Sequence, residues 1–137
     1  MAELSQRERI TQYAQDTFGT EAEYLWGDIP DGAVFRHPAS RKWYALIMGV
    51  SRSRLGLPGE KITDVLTVKC GPILSGSLLT EPGFLPAYHM NKTNWISVLL
   101  DETVPDEKIF PLLDLSYDSV APKRRKKSSL TTEGGSV

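Results

Sequence analysis

The hydrophobic pattern changes period several times along the chain, and each change marks an element. Ile10, Tyr13, Ala14, Thr17 and Phe18 recur at helical spacing. They follow Ser5-Gln6-Arg7-Glu8, which fits a capping box, with a serine hydroxyl for the third amide and a glutamate reaching back to the cap. Gly19 is a suitable stop, so the pattern predicts a helix from about Gln6 to Phe18, with Arg7, Arg9 and Asp16 on a solvated face. Pro30-Asp31-Gly32 signals a turn, and residues 33–37 then read as a short strand. Pro38-Ala39-Ser40 turns the chain into residues 43–50, apolar on both alternating faces. Such a strand is central, with helices on at least one side.

Residues 51–61 read as a loop around Gly56, Pro58 and Gly59. Residues 62–70 form a third strand, with Thr63, Val65, Thr67 and Lys69 on one face and Ile62, Leu66 and Val68 on the other. A short helix is expected over 73–79, weakened by Gly76, before Pro82-Gly83 breaks the chain. Residues 87–90 read as extended or turning, and 95–100 as a late strand with Ile96, Val98 and Leu100 inward. Pro105 suits the first position of a last helix, and Ile109, Leu112, Leu113, Ser116 and Val120 continue its stripe. Pro111 requires either a kink or a regular part that begins near Phe110. This order of elements implies an α+β fold: one domain over residues 1–120, an antiparallel sheet, and helices mainly on one face.

From Pro122 the pattern ends, and the chain is basic, then rich in Ser, Thr and Gly. Such a segment buries too little apolar surface to offset its ordering entropy, so 121–137 is expected to be a disordered tail. The overall charge of −1 divides unevenly. Lys123, Arg124, Arg125, Lys126 and Lys127 against Glu133 give the tail +4, which leaves −5 for residues 1–120. A body so charged is no general phosphate-binding surface. Its cations are nevertheless concentrated, because Arg36, Arg41, Lys42, Arg52 and Arg54 all fall between Asp31 and Glu60, where no acidic residue occurs. They are the candidate phosphate contacts of the body, with 123–127 as a salt-sensitive addition.

The densest chemistry lies in Pro86-Ala87-Tyr88-His89-Met90-Asn91-Lys92-Thr93-Asn94-Trp95-Ile96. Two extended pieces around a turn at 91–93 would bring Tyr88, His89, Asn91, Lys92 and Trp95 together, with Trp43 and Lys69 joining from neighbouring strands. Rings and cations in one cluster suit a stacked base or a carboxylate. The same residues also fit a purely structural turn, with Trp95 as a core anchor and His89 bonded to backbone. Signals for catalysis are thin: His37 and His89 lack metal-ligand spacing, Cys70 sits at the end of an apolar strand, and no nucleophile or phosphate-loop motif occurs. No catalytic residue, metal or cofactor is assigned. The single cysteine suits a reducing cytoplasm, the N-terminus is polar and acidic where a signal peptide is basic and then apolar, and no apolar run spans a membrane.

Arg41-Lys42-Trp43-Tyr44-Ala45, Lys69, Pro86 to Lys92, Trp95-Ile96 and Ser116-Tyr117 together resemble the MmcQ/YjbR-like family of small bacterial proteins. Asn94 stands where relatives often carry His. The resemblance covers roughly residues 3–120 and leaves the basic tail outside. It implies a compact α+β domain, similar in topology to secretion chaperones and frataxin, in a cytoplasmic protein. It also implies DNA binding as the usual assignment and no established enzyme activity. Three readings stand: a non-enzymatic nucleic-acid-binding module, a chaperone-like or dimerising protein-binding domain, and a small-ligand site around Cys70, His89 and Lys92.

Overall fold

The structure, a computed structural model, describes residues 4–29, 31–88 and 90–122; His89 and the tail cations 123–127 lie outside the described residues. Helix α1, Gln6–Phe18, starts on the expected capping box. The Glu8 N–H donates to Ser5 Oγ at 3.1 Å, and the Ser5 N–H donates to Glu8 Oε1 at 2.8 Å. It ends on Gly19, whose φ of 68° is the left-handed turn that glycine adopts without a β-carbon clash. Strands β1 (Ala33–Arg36) and β2 (Trp43–Ser51) follow, then a 3-10 turn at Arg52–Leu55 and strand β3 (Ile62–Lys69). Helix α2 (Pro72–Leu78), strands β4 (Phe84–Pro86) and β5 (Trp95–Leu99), and helix α3 (Asp106–Ser119) complete the chain. The strands form one antiparallel sheet in the order β1-β2-β3-β5-β4, so the fold is α+β.

Three local readings change. Strand β4 was hidden between Pro82-Gly83 and Pro86. It is a three-residue edge strand paired only with β5, a position where a proline's missing N–H is tolerated. Pro105 caps α3 rather than opening its first turn, and the helix runs on through Pro111. The carbonyl that Pro111 cannot serve belongs to Glu107. Both residues are exposed, so water can take that bond. Arg7 and Arg9 are not simply solvated. Arg7 donates to the Asp31 carbonyl and to Asp64, and Arg9 to Asp106 and Glu102, tying α1 to the sheet and to α3.

The two faces of the sheet are covered differently. On one, Ile10 and Ala14 of α1 and Ile109 and Leu113 of α3 pack on Phe35, Tyr44, Ile47, Leu66, Val68, Ile96 and Val98. Each fully buried side chain of this kind contributes about 1.5–3 kcal/mol. Buried Gln6 joins the helices there: its amide donates to the Val104 carbonyl at 2.7 Å, and its Oε1 accepts from the Glu102 N–H at 3.0 Å. On the other face, Val34, Leu46, Met48, Val50, Val65 and Leu99 are covered by Trp26, Ile29, Leu57 and Tyr88 from loops and Leu55 of the 3-10 turn, with Leu85 of β4 beside them.

A bulge decides which face Trp43 joins. Phe35 opposes Ala45 while Arg36 opposes Trp43, so Tyr44 is an extra residue in β2. Tyr44 and Ala45 both pack into the helix-side core, and Trp43 falls with Leu46 and Met48 on the loop side. Ser116 of α3 fills the break, because its hydroxyl donates to the Tyr44 carbonyl and accepts from the Lys69 N–H at 2.9 Å. Burial pushes the Tyr44 hydroxyl up to about 12, and it is bonded to Thr20.

Candidate functional site

The strand register lays out the loop side in rows. Val34, Leu46, Thr67, Ser97 and Leu85 form one row across all five strands. Nearer the β1–β2 hairpin, Arg36 opposes Trp43 and Lys69 opposes Trp95. The Thr67 and Ser97 hydroxyls bond at 2.7 Å in the middle of the sheet, and Ser97 also accepts the Tyr88 N–H at 2.9 Å, which pins the segment after β4.

Two hollows open beside these rows. One, of about 260 Å³, is lined by Trp26, Ile29, Trp43, Leu46 and Met48. Its two indoles meet edge to face, with centroids 5.9 Å apart. The other, of about 410 Å³, shares Ile29 and Met48 and adds Val50, Ser51, Arg54, Tyr88, Asp28 and Asp31. The first is apolar and aromatic; the second carries charges of both signs.

The hairpin end is closed by hydrogen bonds. The His37 N–H donates to the Lys42 carbonyl at 2.8 Å, and His37 Nδ1 accepts from the Ala39 and Ser40 N–H groups at 3.1 and 3.4 Å. The imidazole is buried and stacks on Tyr117 at 4.3 Å, so His37 shapes the turn and does not join the basic surface. Arg41 sits in the left-handed region at φ 65°, which costs a residue with a β-carbon about 1 kcal/mol or more. That turn holds Arg41 and Lys42 outward, and both are exposed.

The candidate cations differ in how far they are committed. Glu23 holds Arg36 at 3.2 Å and reaches Arg41 at 3.9 Å. Arg52 pairs with Asp101 at 3.5 Å. Burial pulls the Asp101 carboxyl up, but bonds from Thr103 and Arg52 outweigh it and leave the group below its ordinary value. Lys42, Arg54 and Lys69 have no carboxylate at ion-pair distance among the described residues. Lys42 and Arg54 lie near opposite ends of β2, a strand whose eight steps span roughly 26 Å.

The central cluster expected from 86–96 is divided. Asn91 Oδ1 accepts from the Thr93 and Asn94 N–H groups at 2.8 and 3.0 Å, forming a side-chain turn. Lys92 closes the same loop by donating to the Ala87 carbonyl at 3.0 Å. Trp95 is buried opposite Lys69, Trp43 meets Trp26 instead, and Tyr88 lines the larger hollow. Cys70 is half-buried, its thiol is pushed up by burial, and it lies 3.6 Å from the Gly71 carbonyl, the reverse of an activated thiolate. Among the described residues no three His, Cys, Asp or Glu side chains are grouped to hold a metal, and no helix is long and apolar enough to cross a membrane.

Trp26, Asp28 and Ile29 lie between α1 and the Pro30-Asp31-Gly32 turn, in a segment to which the sequence pattern assigns no element. The available signal was the apolar content of Tyr24-Leu25-Trp26 and Ile29, high for a polar connection.

The sequence model of the YjbR family matches residues 16–119, a span that contains the whole sheet, α3 and both hollows. The chain belongs to the YjbR family. Among YjbR-family relatives, Bacillus subtilis (strain 168) "Uncharacterized protein YyaQ" is 40% identical over 111 residues, covering 81% of this chain and 94% of that protein. Escherichia coli (strain K12) "Uncharacterized protein YjbR" is 38% identical over 45 residues, 31% of this chain and 38% of its own length. A crystal structure of a Pseudomonas syringae protein superposes with a TM-score of 0.81 at 41% identity, covering 83% of this chain and 97% of that one. A Deinococcus radiodurans protein, at TM-score 0.64 and 23% identity over 93% of this chain and 83% of its own, shares the fold. None of these names states an activity, so the family supplies the architecture and the chemistry must come from the site.

Proposed function

We propose that this YjbR-family chain is a non-enzymatic, cytoplasmic nucleic-acid-binding module that uses the loop side of its sheet. One observation carries the reading: two adjoining hollows, one of them aromatic, lie along β2, with Lys42 just before the start of that strand and Arg54 lining the second hollow beyond its end. Flat rings receive bases, and cations at the ends receive phosphates. The helix side is unsuited to the task. Helix α3 carries four acidic residues and one lysine, a net −3, and both arginines of α1 are committed to carboxylates. In this reading residues 1–120 form the binding domain, and Lys123–Lys127 add non-specific attraction.

Anisotropy of labelled oligonucleotides, titrated with the full chain and with a variant carrying serine at 123–127, tests this at two salt concentrations. Contacts from Arg41, Lys42 and Arg54 should leave the serine variant with a slope of about −2 in log K against log salt, at about −0.7 per phosphate of a single strand. Binding lost entirely with the tail cations would remove the domain from the mechanism.

A second reading, protein binding, is favoured by a different surface. Around α2, Ile73 is 89% exposed, with Leu79 and Leu115 each at 41%, beside a hollow of about 550 Å³ lined by Pro72, Ile73, Leu74 and Leu115. Light scattering at micromolar concentration, compared with an Ile73→Glu variant, tests it: a dimer that Ile73→Glu dissociates supports this reading.

A further inference from the structure

The turn that carries Arg41 and Lys42 contains no glycine, although Arg41 takes a φ of 65°, a value disfavoured for a side chain with a β-carbon. Glycine there would remove that cost, and the guanidinium with it. The turn is secured instead by one residue. Of the four amide N–H groups at 39–42, three end on His37: those of Ala39 and Ser40 on Nδ1, and that of Arg41 on the carbonyl at 2.9 Å. The fourth, from Lys42, donates to Ser40 Oγ at 3.2 Å. Nδ1 accepts only while it carries no proton and faces the turn, so the ring must be held in that orientation. A stack of rings holds it. The buried imidazole lies on Tyr117 of α3, and Tyr117 lies in turn on Phe18 at the end of α1, with centroids 4.1 Å apart and planes 8° from parallel. Tyr44 meets Tyr117 edge to face at 5.1 Å and closes the side of the stack.

We infer that His37 is the positioning residue of the phosphate-binding turn, and that Tyr117 fixes it from the helix side; the inference rests on the nucleic-acid reading above. His37 touches no phosphate itself. It sets the backbone from which Arg41 and Lys42 project, and it holds Arg41 in a conformation the chain would otherwise leave. A turn already ordered in the free protein does not have to be ordered when a strand binds, and that saving strengthens the complex. The cations of the loop side are thus placed by rings that belong to the helix side.

Anisotropy of a labelled thymidine dodecamer, titrated with the full chain over a range of salt, tests the inference. His37→Leu removes the acceptor, whereas the carboxamide oxygen of His37→Asn can accept the same N–H groups two and three residues on. His37→Leu should weaken binding and make the slope of log K against log salt less negative by about 1.4, two phosphates at about 0.7 each. His37→Asn should restore most of that loss. Tyr117→Leu should move the slope in the same direction, and Tyr117→Phe, which keeps the stack, should match the native chain. Leu113→Ala, destabilised away from the turn, should keep the native slope. In a chain carrying Arg41→Ser and Lys42→Ser, His37→Leu should cost no further affinity, because those cations are what it positions. A slope that His37→Leu and Tyr117→Leu leave unchanged, a His37→Asn chain no better than His37→Leu, or a further loss in the doubly substituted chain overturns the assignment and leaves the nucleic-acid reading in place. No binding by the native chain at low salt overturns both.

Discussion

The two faces of this sheet are both apolar, yet they are covered in different ways. The helix side is closed by long elements, and its polar atoms are satisfied internally: Gln6 bridges the starts of α1 and α3, and Ser116 repairs the ladder at the Tyr44 bulge. The loop side is closed by short segments whose side chains are only partly buried, with two hollows between them. Apolar area alone therefore does not separate scaffold from site. What separates them is how the cover is built: two long helices on one side, short segments with hollows between them on the other.

The sharpest way to break this contrast is to cut the helix side. Leu113→Ala removes a side chain with no exposed surface and should cost about 2–5 kcal/mol in urea denaturation, with affinity per folded molecule unchanged. Trp43→Ala should do the reverse: about a tenfold loss of oligonucleotide affinity, the scale of one base–aromatic stack, with a smaller loss of stability. Gln6→Leu keeps volume but leaves the Val104 carbonyl and the Glu102 N–H without their partner, at about 1–3 kcal/mol by the same denaturation.

A smaller effect should appear in acid. The Arg9 hydrogen bond, opposed by partial burial and helped by Gln6, holds the Asp106 carboxyl below its ordinary value. A depressed carboxyl stabilises the fold above the unfolded value of about 3.9, and that contribution fades as pH falls through the lower folded value. Denaturation midpoints measured downward from pH 5 should therefore fall more steeply for the native chain than for Asp106→Asn. If the two curves run parallel, the Arg9–Asp106 pair contributes nothing to the helix side.

Much of the helix side was legible in the sequence, because helical and alternating periods are local. The capping box at Ser5, the stripe through Leu113 and the alternation of β3 and β5 all follow from residue spacing. The bulge at Tyr44 was not legible, since it depends on which residue of β1 lies opposite, and without it Trp43 would face the helices. Strand β4 was too short and too proline-bounded to show a period. The candidate site was half visible. Arg41, Lys42 and Arg54 stood out by charge, but the hollow that Arg54 lines with Asp28, and the one between Trp26 and Trp43, form only when the segment between α1 and β1 folds over the sheet. Asn91 and Lys92 look like ligand residues in one dimension, and in three they hold a turn.

The chain contains three tryptophans, so its side-chain indole N–H groups give three separable signals in a nitrogen–proton correlation spectrum. Titrating the labelled full chain with a single-stranded oligonucleotide tests the loop side most directly. Trp26 and Trp43 should shift together with the Gly49 and Arg54 amides, while the amides of α1 and α3 stay in place. Shifts confined to α1 and α3, or no shift at all, would contradict a binding surface on the loop side of the sheet.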